Sequence, residues 1–124
     1  MKTIAGHLLP YRAFLADKKQ RIGQAIEQLE EQKRQDEANL QKISLNIVGI
    51  FDTVALADER QATDWPSFCS RYERRFETLT APWRIRLAAA REHGDILTQT
   101  IEEEKLSTAN EIREVFFSIR SENA

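Results

Sequence analysis

The aliphatic residues of the first half keep one helical phase across a charged interruption, and no other feature restricts the fold as strongly. From Ile22 the apolar positions step by four and three through Ile26 and Leu29, then resume at Leu40, Ile43, Ile47, Ile50 and Val54. Such steps place residues on one face of an α-helix. The two positions that the pattern expects between Leu29 and Leu40 are Lys33 and Asp36. A hairpin turn has no reason to preserve phase, and Lys33 to Glu37 holds neither Gly nor Pro. The spacing therefore predicts one continuous helix over about 8–59, with Lys33 and Asp36 as register-setting polar positions in its seam. At 1.5 Å per residue it would run about 75 Å, a coiled-coil length. Around Ile47, Val48, Ile50, Phe51, Val54, Ala55 and Leu56 the apolar arc widens. A helix apolar over a wide arc must be covered from two sides.

The pattern breaks between Asp58 and Pro66. Asp64 or Thr63 is placed to cap a new helix, and Pro66 suits a first turn, where its missing N–H would be unsatisfied anyway. Phe68, Tyr72, Phe76 and Leu79 mark one face of a short helix over about 66–80. Thr80-Ala81-Pro82 reads either as a second start or as a proline kink in one longer helix. The last helix is predicted over about 82–120, with Trp83, Leu87, Ala90, Gly94, Leu97 and Ile101 as its seam. Its phase slips near 104–109 and resumes at Ile112, Phe116 and Ile119. The turn reads Trp65-Pro66-Ser67. It lacks the glycine of small secreted Trp-x-Gly helical hairpins, and Trp65 is read as a buried anchor of the helix start.

The expected fold is all-α, one helical domain over 1–124. It is an elongated antiparallel helical hairpin or three-helix bundle with coiled-coil character. A short connection sets residues 22–58 against 82–118. Charge agrees with this orientation: residues 66–93 carry six Arg and three Glu, while 94–124 carry three basic and seven acidic groups.

Several function classes drop out. One Cys excludes an internal disulfide framework. A net charge of −2 gives no general pull toward nucleic acid or anionic lipid. His7 and Pro10 interrupt the short apolar patch at the start. The longest uncharged apolar stretch, Ile43 to Phe51, is about half of the roughly 20 residues a membrane span needs. A cytoplasmic protein without a membrane partner is expected. His7 and His93 lack a Glu three residues before them and are read as solvated surface residues. Gly6, Gly23, Gly49 and Gly94 are isolated, so no phosphate loop exists. Cys69, flanked by Phe68 and Tyr72, is assigned to packing. No catalytic residue, metal ligand or cofactor site is expected, and the chain is read as a non-enzyme.

What remains is interaction. Leu8, Leu9, Tyr11, Phe14 and Leu15 extend past the reach of the last helix and are predicted to form a two-fold dimer face and to bind a protein partner. An alternative assigns Arg71, Arg74, Arg75 and Arg84, interspersed with Tyr72, Phe76 and Trp83, to nucleic-acid contact. The interleaved Glu73, Glu77 and Glu92 favour a solvated face that pairs with the first helix. A third reading, by analogy of shape alone, is a small chaperone or a component of a secretion or phage-like assembly.

Overall fold

The chain reverses direction at Lys33, where one rod was predicted. The computed structural model describes residues 2–122. Helix α1 spans Ile4–Glu31, α2 Gln35–Gln61, α3 Trp65–His93 and α4 Ile96–Glu122. Lys33 holds φ 58°, the left-handed region. The amide of Arg34 donates to the carbonyl of Leu29 at 2.9 Å, and that of Lys33 to Glu30 at 3.0 Å. This pair of bonds is the Schellman closure, whose left-handed position is usually Gly. A lysine there is what hid the turn. Lys33 is therefore a turn residue, and Asp36 lies exposed in the first turn of α2; neither sits in a seam.

The second half is also partitioned differently. Pro82 lies inside α3 without ending it, so the predicted short helix over 66–80 continues to His93. Gly94, at φ 68°, closes it with the same pair of bonds, Asp95 to Ala90 at 2.9 Å and Gly94 to Arg91 at 3.4 Å. Asp95 then caps α4 through Thr98, whose hydroxyl and amide hold the Asp95 carboxylate below its usual pKa. The helix predicted over 82–120 is thus the end of α3 and the whole of α4. Asp64 caps α3 as expected: its carboxylate accepts from the Ser67 amide at 2.9 Å, and Ser67 Oγ accepts from the Asp64 amide in return.

The helices run up and down in order. Lys19 reaches Asp52 at 2.7 Å across α1 and α2. Arg86 reaches Glu102 at 2.9 Å across α3 and α4. The two hairpins meet mainly along α2 and α4, where Ser44 and Thr108 share a hydrogen bond of 2.8 Å. The turns at 32–34 and 94–95 form one end, the tip. The 62–64 connection forms the base with the start of α1 and the end of α4. Among the described residues the protein is a four-helix bundle without strands.

The wide apolar arc of α2 has the predicted explanation. Ile47, Val48, Phe51 and Ala55 are buried, and α2 touches each of the other three helices. By length and composition this helix is apolar enough to cross a membrane, with a mean hydropathy of 1.3 over its best window. Only 28% of that window is buried, with Ile47, Val48, Phe51 and Ala55 in the core, while Lys42 and Asp52 form ion pairs with Glu30 and Lys19.

The core differs between the ends. At the base Tyr11, Phe51, Phe68, Tyr72 and Phe116 are fully buried. Toward the tip the cluster thins to Ile22, Ile26 and Trp83, and Ala38, Leu87 and Ala90 lie outside the contiguous core.

The predicted dimer face is corrected by the same reversal. Leu8, Tyr11 and Leu15 are covered by the chain's own helices, and Phe14 is half-buried against them. Folding α2 back along α1, and bringing the end of α4 down to the base, supplies the cover that a rod would have lacked. Only Leu9 of the five remains exposed.

Candidate interaction surfaces

An open apolar cleft lies at the tip between the first turns of α2 and α4. Leu40 and Ile43 line one wall, and Ile96, Leu97 and Ile101 the other, with Asp36, Asn39 and Thr100 at the rim. Its volume is about 550 Å³. The cleft follows from local sequence. Gly94 and Asp95 make a two-residue turn, so Ile96 and Leu97 fall in the first turn of α4, where nothing beyond covers them. Ile96 is 67% exposed and Leu97 73%, against full burial of the aromatics at the base. Leu97, predicted as a seam residue, is an exposed tip residue. Contiguous exposed aliphatics of this kind mark interaction sites, whereas isolated ones do not.

The four arginines chosen from sequence do not act together. Arg75 turns toward α2 and grips the fully buried Asp58, with Nη2 at 2.7 Å and Nε at 3.1 Å from its two oxygens. That pairing raises the Arg75 pKa further and makes it a structural residue. Arg71 is exposed outside the furrows described next. Arg84 donates to Thr80 Oγ1 at 2.5 Å and approaches Glu77 at 3.4 Å. Arg74 has no carboxylate partner among the described residues.

Arg74 and Arg84 share their face with two arginines that the sequence reading passed over. Arg113 and Arg120 of α4 lie over the Phe117 ring, 4.9 and 5.9 Å from its centroid. Arg120 also pairs with Glu73. Two adjoining furrows between α3 and α4, of about 420 and 470 Å³, both include Glu77 and Arg113 in their walls. The chance to see this lay in the antiparallel α3/α4 register, which the unrecognised break at Gly94 concealed.

The buried polar groups serve the fold. Tyr11 and Tyr72 hydroxyls meet at 2.5 Å, and Tyr72 donates on to the Phe51 carbonyl at 2.9 Å. Burial pushes both phenols well above their ordinary pKa, which keeps them neutral donors. Glu102 is buried with one oxygen held by Arg86 at 2.9 Å and Lys105 at 3.2 Å. Cys69 is buried, and burial pushes its thiol up, the reverse of what activates a nucleophile. His7 was predicted on a wet surface. Instead it is half-buried and stacks on Trp65, ring centroids 4.7 Å apart, so Trp65 anchors α1 as well as the start of α3. His93 is exposed as predicted. No group of three or more His, Cys, Asp or Glu converges among the described residues.

Fold and surface together define a class: a four-helix bundle of two hairpins, aromatic at its base and apolar and open at its tip. No protein-family model matches the chain, and neither does any curated protein or solved structure.

Proposed function

We propose that this is a non-enzymatic helical interaction protein that pairs with a second copy of itself through the tip cleft. The observation that supports this is the exposure of Ile96 and Leu97 beside an apolar trough lined by Leu40, Ile43 and Ile101. One patch carries both protruding side chains and the recess that would take them. A two-fold partner satisfies both halves at once, because in such an interface residue i meets j and j meets i. Asp36 is the only charged residue lining the cleft, so pairing brings little charge out of water. Covering Ile96 and Leu97 contributes about 1.5–3 kcal/mol for each side chain before the cost of association. Such a pair would act as a cytoplasmic scaffold, with its remaining helix faces free for a protein partner.

Light scattering tests the pairing. The intact chain is expected at twice its 14.4 kDa mass. Ile96→Glu/Leu97→Glu is expected as a monomer with unchanged helical circular dichroism. A monomeric wild type would overturn the reading. So would a double variant that keeps the doubled mass.

A further inference from the structure

We propose that the α3/α4 furrow is a sequence-independent contact surface for the phosphate backbone of a nucleic-acid duplex. This goes beyond tip pairing: the residues lining the furrows are distinct from those lining the tip cleft.

The charge balance of the furrow carries the argument. Its walls hold Arg74, Arg84, Arg113 and Arg120 against Glu73 and Glu77. Glu73 is neutralised by Arg120, and Glu77 by Arg84. Arg74 and Arg113 remain as surplus cations, from opposite walls. A local excess of positive charge on a chain of net charge −2 is the reverse of the average surface.

Spacing and shape point to the ligand. Arg74 and Arg84 lie ten residues apart on α3, which is about 15 Å along the helix axis. One strand of a duplex presents a phosphate about every 3.4 Å along its axis, so about four fall within that length. Four guanidiniums spread along a shallow furrow match such a line of charges better than a single enclosed anion. Guanidinium forks suit phosphate oxygens by geometry. Phe117 is already occupied by Arg113 and Arg120, so it is not free to stack on a base. The furrow therefore touches backbone and reads no sequence.

Fluorescence anisotropy with a labelled duplex DNA of about 20 base pairs tests this, at KCl concentrations from about 25 to about 200 mM. Binding is expected at the lowest salt, with a log–log slope between about −1.8, for the two surplus cations, and about −3.6, for all four. Arg74→Glu/Arg113→Glu is expected to weaken it at least about tenfold. Arg21→Glu/Arg60→Glu makes the same change in net charge at exposed positions outside the furrow, and is expected to bind nearly as wild type. Absence of binding at the lowest salt would overturn the proposal. So would equal losses in the two double variants, which would mean that only net charge matters.

Discussion

Phe116→Ala is expected to lower the unfolding free energy by about 4 kcal/mol, within the range for emptying a buried aromatic site. In a chain of this size that moves the melting temperature down by on the order of 10–15 °C. Phe116 is fully buried on α4 and reaches rings on α1 and α3. Its centroid lies 5.3 Å from Tyr11 on α1 and 4.9 Å from Tyr72 on α3, both edge to face. Phe76, Phe68 and Trp65 lie 6.0 to 6.4 Å away. Truncation removes a ring that, with the Tyr11–Tyr72 and Phe51–Phe76 contacts, ties the two hairpins together at the base. Thermal melts should show Leu97→Ala, at the exposed tip, within about 0.5 kcal/mol of wild type. Equal effects at the two positions would mean that the base aromatics do not carry the core.

The second large effect is electrostatic and asymmetric. Arg75→Ala is expected to cost about 3 kcal/mol, because it strands the carboxylate of Asp58 without a partner at full burial. Asp58→Ala should cost less. The Arg75 side chain is 38% exposed and can turn to water once its partner is gone. Replacing both by Leu should recover most of the loss, since a well-packed apolar pair avoids desolvating charge. Urea unfolding of the three variants measures this order. If Asp58→Ala proved the worst of the three, the pair would not be governed by the burial of its acid.

Much of this architecture was legible in the chain. The all-helical class, the break before Asp64, a cap at Asp64 or Thr63 and the aromatic face of Phe68, Tyr72 and Phe76 could all be read from residue type and spacing. Each rests on local chemistry that a few neighbouring residues fix. The wide arc of α2 correctly announced a helix covered from several sides.

The two tip turns were not legible, for one physical reason. In each hairpin both helices turn their apolar stripe to the same core, and the turn between them has only two or three residues. The spacing therefore stays nearly in step through the reversal, and phase carries no trace of it. At Gly94 a turn signal was present, but the stripe from Trp83 to Ile101 ran through it. At Lys33 no signal existed, since a left-handed Lys looks like any helical Lys. Polar residues at buried positions, Ser44, Thr108 and Glu102, further blurred the seam of α4 and its contact with α2.

From those missed reversals came the misplaced interaction face. A rod leaves Leu8, Tyr11 and Leu15 without cover, and a hairpin buries them and moves the exposed aliphatics to Ile96 and Leu97. The arginine surface changed in the same way, losing Arg75 to Asp58 and gaining Arg113 and Arg120 from α4.

The reversal at Lys33 is thus the claim on which the tip cleft and the burial of Leu8, Tyr11 and Leu15 depend, and a distance across α1 and α2 measures it most directly. Spin labels at Gln20→Cys and Thr53→Cys, with Cys69 replaced by Ala, sit at exposed positions next to the Lys19–Asp52 pair. Pulsed electron resonance on labelled chains diluted with unlabelled ones reports the separation within one chain. Two helices packed about 10 Å apart should give a label separation below about 25 Å. A separation near 50 Å, the length of an unbroken helix between the two positions, would contradict the bundle.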